Sequence, residues 1–310
     1  MKSFVSNNVT NGKGLEWAVV KEIQKATGFQ IEESEPLETA REAYGALSGS
    51  ELIDVYDRWV PACVDHVLRL ESAVLTGRKG PGKIWINSDA KGQAGDVRDV
   101  MIASSGKSFG ISCKNNHSAF KHSRLSPKID FPFEWELCEE GASDAYKYGV
   151  DALFSKIEKT CGPFRVTLWD DVPKERKFGF YRELLGAFRN EILRIRNKSD
   201  TAAAQLASGL VKYVVGRHDF YKLIIKDDRG LVEGYNLSHT LRIPKIPLPT
   251  TVLSVEFIPG AAGTLLLFMD AGYTFSFRIH SASSKIESSF KFDIQAIGLP
   301  REVYRHHFVI

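Results

Sequence analysis

Residues 95–126 read GDVRDVMIASSGKSFGISCKNNHSAFKHSRLS, a pattern that predicts a β-hairpin carrying a polar site on one face. Asp99 leads into the apolar run Val100, Met101 and Ile102; a short stretch of Ser, Ser, Gly, Lys and Ser follows, and a second strand runs from Phe109 to Lys114. Side chains alternate along a strand with a period of two, so Ser112 and Lys114 share one face. With the turn centred on Ser105 and Gly106, Asp99 lies directly across from Ser112, and carboxylate, hydroxyl and ammonium converge. A register shifted by one residue brings Asp96 to that face instead.

Such a cluster suits phosphodiester hydrolysis. A carboxylate can hold Mg²⁺ while leaving most of the ion's positions to water and phosphate oxygens, and a lysine beside it can orient the water or offset developing negative charge. A bare D…SxK pattern is also the polar face of an ordinary surface hairpin, and the surroundings tip the balance. No acidic residue occurs between Val100 and Ile129, whereas Lys107, Lys114, Lys121, Arg124 and Lys128 are basic, with His117 and His122 between them. That is the local footprint of a phosphate-binding surface. The two histidines are not an i, i+4 pair, so zinc chemistry is not expected.

The net charge of +3 over 310 residues would not by itself point to a nucleic acid. A hydrophobic content of 43% is that of a soluble globular chain, and no apolar segment is long enough for a membrane span. The four cysteines are scattered without a CxxC pair and no apolar run follows Lys2, so a reducing, cytoplasmic setting is expected.

Outward from the hairpin, residues 1–13 read as a loose polar arm and 14–26 as a helix with an apolar stripe through Leu15, Val19 and Ile23. Glu16 falls in the expected first turn, where a carboxylate favours the helix dipole. Residues 31–71 are acidic and helical in character, with Glu38, Glu42, Glu51, Asp54, Asp57 and Asp65 expected on solvent faces. Helices are predicted over 143–160, 173–197 and 201–216; the excess of Arg and Lys on the second suits either a solvated face or a DNA backbone. Beyond Arg217 the chain turns to strands, with a tight hairpin at Asp270 to Tyr273. In YTFSFRIH, Phe275, Phe277 and Ile279 alternate with Ser276, Arg278 and His280. The polar face can simply meet water, or its Arg and hydroxyls, with Ser283 and Lys285 beyond, can meet base edges and phosphates.

GDVRDV followed by SCKNNHSAFKHSRLS resembles the core of the HaeIII-type restriction endonucleases, within the PD-D/ExK nuclease superfamily, and NGKGLEWAV at 11–19 and FSFRIHSASSKIESSFKFDIQAIG at 275–298 extend the resemblance over nearly the whole chain. It implies a single restriction endonuclease domain over 1–310 of α/β class, with a mixed central β-sheet flanked by helices. Within it, 1–216 would be a mainly helical part carrying the catalytic hairpin, and 217–310 a β-rich DNA-recognition part. The implied activity is Mg²⁺-dependent cleavage of double-stranded DNA at a short palindrome, GGCC being the site of the family's namesake. A palindrome favours a two-fold homodimer, and a separate DNA methyltransferase is the expected companion. Ser112 stands where the superfamily has its second acidic residue, which leaves the site one carboxylate short. The resemblance assigns that carboxylate to Glu16, beside Asp99 or Asp96 at the metal and Lys114 and Ser112 in catalysis; Glu71, close to the hairpin in sequence, is a second candidate. The basic footprint makes His117, Lys121, His122 and Arg124 candidates for DNA phosphate, with His117 also open to a catalytic role beside Lys114, and the resemblance favours Arg278, His280, Ser283 and Lys285 as residues for DNA. A nuclease without a strict site, or an inactive DNA-binding protein of the same fold, is the rival expectation.

Overall fold

The computed structural model describes residues 8–72, 82–88, 96–116 and 123–309. The chain divides into two compact units, both discontinuous: residues 1–118, 216–246 and 301–310 form the first, and 119–215 and 247–300 the second.

The first unit joins helices α1 (Asn8–Thr27), α2 (Glu35–Ala46) and α3 (Glu51–Leu70) to a seven-stranded mixed sheet. Its strands are β1 (Gln30–Ile31), β2 (Lys83–Ile86), β3 (Val100–Ser104), β4 (Lys107–Asn115), β6 (Phe220–Lys226), β7 (Arg229–Tyr235) and β12 (Tyr304–Val309), hydrogen-bonded in that order; β5 and β8 to β11 belong to the second unit. The β1–β2 and β4–β6 pairs are parallel and the others antiparallel. The core lies between sheet and helices. Tyr56, Val60, Cys63, Val64 and Val67 recur every three or four residues along α3, and Leu15, Val19 and Ile23 do the same along α1. They meet Phe109, Ile111 and Cys113 of β4 and Tyr221 and Leu223 of β6. Strand alternation therefore turns Gly110, Ser112 and Lys114 to the other face. The six acidic residues expected on the solvent faces of α2 and α3 are all exposed.

Helix α1 starts at Asn8, so 8–13, expected as a loose arm, are helical and the first turn contains no acidic residue. Glu16 sits two turns into the helix and is buried. A helix-dipole role is thereby removed, because that effect fades beyond the first turn.

The second unit contains α4 (Phe131–Glu134), α5 (Asp144–Cys161), α6 (Lys174–Arg196) and α7 (Asp200–Val215). Its five-stranded antiparallel sheet runs β5 (Arg124–Leu125), β11 (Phe290–Gly298), β10 (Thr274–His280), β9 (Ala261–Met269), β8 (Val252–Ile258). The β9–β10 hairpin turns at Asp270–Gly272 with Ala271 and Gly272 both in the left-handed region, at φ 56° and 84°. Phe275, Phe277 and Ile279 are buried, as their alternation predicts. Phe188 of α6 is fully enclosed, with ring centroids 4.7–5.9 Å from Phe131, Trp135, Phe277 and Phe292.

The strands after Arg217 enter two sheets: β6, β7 and β12 extend the hairpin's sheet, and β8 to β11 join β5. A buried strand reads as an apolar run whichever sheet it enters, so composition carries no pairing partner. The arginines of α6 are largely spent within the unit. Arg189 Nε donates to Val255 O (2.7 Å), Arg196 Nη1 to Leu253 O (3.1 Å), Arg194 pairs with Glu191 (2.7 Å), and Arg182 lies over the Phe257 ring.

Phe188→Ala removes the ring at the centre of that aromatic cluster. Urea unfolding is expected to show a loss of about 3–5 kcal/mol, the range for emptying a buried aromatic site.

Candidate active site

The hairpin has the register that its turn dictates. Pairs run from Ser104 with Lys107 to Val100 with Ile111, and the Asp99 N–H continues the ladder to Ile111 O at 2.9 Å. Ser105 (φ 55°) and Gly106 (φ 77°) are the two turn residues, both left-handed, as a tight two-residue hairpin requires. Asp99 thus stands at the level of Ser112. Its Oδ2 accepts hydrogen bonds from Ser112 Oγ (3.2 Å) and from the Cys113 N–H (2.6 Å), and Lys114 Nζ is 3.7 Å away. None of these three contacts uses Oδ1.

Glu16 of α1 lies near enough for the charges of Asp99 and Lys114 to act on it. Lys13 Nζ lies 3.3 Å from its Oε2, one helical turn earlier. Burial first, and then the charge of Asp99, push the Glu16 carboxyl from the ordinary 4.5 up to about 8, against the opposing pull of Lys13 and Lys114. A buried carboxyl whose ionisation the charge of Asp99 opposes makes a site that a cation relieves. The donors are hard oxygens, and no group of three or more His, Cys, Asp or Glu gathers among the described residues. Such a set fits an ion that keeps several waters, which is the habit of Mg²⁺.

Asp96 is not free for this role. Arg98 Nε and Nη2 reach its two oxygens at 2.7 Å each, the Arg98 N–H adds a third bond at 3.1 Å, and Asn87 Nδ2 a fourth at 3.4 Å. Burial raises the Asp96 carboxyl, but the Arg98 bonds outweigh it and hold it below the usual range. Gly110 makes this possible. A Cβ there would fall 2.4 Å from Arg98 Cδ, so the arginine lies flat across the glycine. Glu71 is likewise engaged, accepting from Tyr221 Oη and from the Arg242 N–H at 2.8 Å each while almost wholly buried. It pins a loop.

One residue escaped the sequence reading. Lys222 pairs directly with Ser112 across the parallel β4–β6 ladder and is 2% exposed. Burial draws its pKa down to about 8, with Glu233 pulling the other way. The signal was present in FYKLIIK, where a lysine interrupts an otherwise apolar strand.

Of the residues expected at DNA, His117, Lys121 and His122 lie outside the described residues. Arg124 bonds Glu287 (3.0 Å) and Ser289 (2.8 Å). Arg278 is exposed on β10 with its Nη2 2.9 Å from Asp293 of β11, and Gln295 also donates to that carboxylate. His280 Nδ1 meets the Ser281 carbonyl at 2.8 Å. Ser283 accepts from the Lys285 N–H (3.2 Å) and so shapes the loop, leaving the Lys285 side chain exposed.

Comparison with known proteins bears on this arrangement. The model of the HaeIII restriction endonuclease family matches residues 12–300. The chain belongs to the HaeIII restriction endonuclease family. The type II restriction enzyme HaeIII of Haemophilus aegyptius is 31% identical over 94% of this chain and 95% of its own length. No solved structure matches. Membership makes the chain a type II site-specific endonuclease, a hydrolase that acts on double-stranded DNA. The mixed sheet flanked by helices is consistent with a restriction-endonuclease-like fold. No described helix is long and apolar enough to cross a membrane.

The raised Glu16 carboxyl has a measurable sign. Between 4.5 and about 8 the folded state holds a proton that the unfolded chain releases, so this group's contribution to stability falls as pH rises through that window. Glu16→Gln stays neutral throughout. In EDTA its Tm is expected to be close to that of the unaltered protein at pH 5 and clearly above it at pH 8.5. A gap that does not widen with pH would mean that Glu16 titrates as an ordinary carboxyl.

Proposed function

We propose that the chain hydrolyses a phosphodiester bond in double-stranded DNA at a short palindrome, with GGCC the first site to test, by Mg²⁺-dependent attack of water at the Asp99 cluster. The convergence of Asp99, Ser112 and Lys114 with a buried Glu16 is the observation that carries this reading. Asp99 and Glu16 would hold the ion, which when bound supplies positive charge to the phosphoryl oxygens and lowers the pKa of a coordinated water.

The chain's own residues do the rest. The Ser112 hydroxyl and the Cys113 N–H fix the Asp99 carboxylate by its Oδ2. With its pKa raised to about 8, the Glu16 carboxyl favours its protonated form near neutral pH, and holding the ion would release that proton. Lys114, on the Ser112 face of β4, offsets charge that develops on the phosphate as the water oxygen bonds to phosphorus and the P–O bond to the leaving deoxyribose oxygen breaks. Arg98 keeps Asp96 out of the set. A palindromic site favours two chains related by a two-fold axis, and a separate methyltransferase would protect the same site in the host.

Arg278 is proposed to read a base. Its guanidinium can give two parallel hydrogen bonds to the N7 and O6 of guanine, and Asp293, gripping Nη2, holds the fork in one orientation.

With Mg²⁺, phage DNA is expected to give discrete bands that match the GGCC map; a smear would remove site specificity. Lys114→Ala and Asp99→Asn are expected to lose cleavage while binding duplex DNA nearly normally in Ca²⁺, and Asp96→Asn to keep part of the activity. Inactivity of Asp96→Asn with activity of Asp99→Asn would reverse the assignment of the two aspartates.

Arg278→Ala is expected to lose roughly 1–3 kcal/mol on the cognate duplex and far less on a scrambled one. Equal loss on both, with a salt slope lower by about one unit, would make Arg278 a phosphate contact.

A further inference from the structure

Lys222 lies in a row of polar side chains that crosses the sheet through the active site. Asp99 stands level with Ser112, Ser112 pairs with Lys222, Lys222 with Glu233, and Glu233 with Arg305. Directly paired residues on neighbouring strands project to the same face. Carboxylate, hydroxyl, ammonium, carboxylate and guanidinium therefore succeed one another from the start of β3 to β12.

The inner part of the row is dry. Ser112, Lys222 and Glu233 are 1%, 2% and 8% exposed. A charge removed from water to that degree is costly unless it is paired, and an apolar residue at 222 would fit the strand better. Glu233 alone would neutralise Lys222, but Glu233 is also held from the far side. Its Oε1 accepts from Arg305 Nε (3.2 Å) and its Oε2 from Tyr235 Oη (2.7 Å). The Lys222, Glu233 and Arg305 trio thus keeps one net positive charge, and across Ser112 stands Asp99. A serine in between has one hydrogen, given to Asp99 Oδ2, and lone pairs to accept from a donor on its other side.

We propose that Lys222 is a positioning residue of the nuclease site: anchored by Glu233, its ammonium fixes the Ser112 hydroxyl as a donor to Asp99 and so sets the orientation of the Asp99 carboxylate. The inference rests on the reading of Asp99, Glu16 and Lys114 as the reacting site. It explains how a serine can serve in the middle of the hairpin's polar face, since the charge that steadies the carboxylate arrives from β6.

The test uses the full chain with Lys222→Met, Ser112→Ala and the double variant, and Lys114→Ala as control. Single-turnover cleavage of a one-site duplex, duplex affinity in Ca²⁺, and Mg²⁺ affinity by calorimetry without DNA are measured. Lys222→Met is expected to lower both the cleavage rate and the Mg²⁺ affinity about 10- to 100-fold, the usual cost of losing a residue that orients a metal ligand. Duplex affinity should stay unchanged. The double variant should be no worse than the poorer single one, because both act through the same hydrogen bond. Wild-type rate and Mg²⁺ affinity in Lys222→Met, or losses that add with those of Ser112→Ala, would overturn the inference while an inactive Lys114→Ala left the site reading standing. Full cleavage by Lys114→Ala would overturn both. Should Lys222→Met fail to fold, Lys222→Met combined with Glu233→Gln removes both charges of the pair and carries the same comparison.

Discussion

The site depends on a turn of two residues. Ser105 and Gly106 both occupy the left-handed region, and that geometry closes β3 on β4 with no residue to spare. Side chains alternate with a period of two, so a slip of one residue would move Asp99 away from Ser112 and exchange the polar face of β4 for Phe109, Ile111 and Cys113, which pack in the core. Burial of those three against α1 and α3 therefore enforces the register that the turn allows. Core packing and the position of the Asp99 carboxylate are one constraint.

Around that register the protein accumulates charge where water is scarce. Glu16, Ser112, Lys222 and Glu233 are all buried, and each is costly to the fold. In return, electrostatic forces act there at a lower effective dielectric than at the surface, and a fixed carboxylate or ammonium has more effect on a phosphate. The pKa of Glu16, up at about 8, is the visible sign of that exchange.

Much of this was legible in the sequence, and the parts that were not share a physical cause. The hairpin, its turn and the pairing of Asp99 with Ser112 follow from local alternation, as does the β9–β10 hairpin. The residue pattern places Glu16 at a helix end that it does not occupy, because polar residues 8–13 carry no apolar stripe to announce their helix, and only the family resemblance points it toward a metal. Lys222 was passed over because a parallel strand pair has no local signature: nothing in FYKLIIK says that its neighbour is a strand a hundred residues earlier. The pairing of Asp96 with Arg98 is expected from two residues so close in the chain, and it is found; that Gly110 lies beneath the arginine is a contact across strands that spacing does not reveal. The arginines of α6 suit either a solvated face or a DNA backbone by sequence, and four of the five meet carbonyls, a carboxylate and a ring of their own unit, partners that helix periodicity does not reveal.

The first unit is assembled from three separated segments, and this sets a timetable for synthesis. The hairpin leaves the ribosome early, but β6 follows it only after the whole of 119–215 has been made, on the order of ten seconds later at about 5–20 residues per second. Until then β4 lacks its parallel partner and Ser112 lacks Lys222; Arg305 arrives later still, with β12. A nascent chain therefore carries Asp99 and Ser112 before the strand that pairs with β4 exists, and the seven-stranded sheet is complete only when β12 has been made.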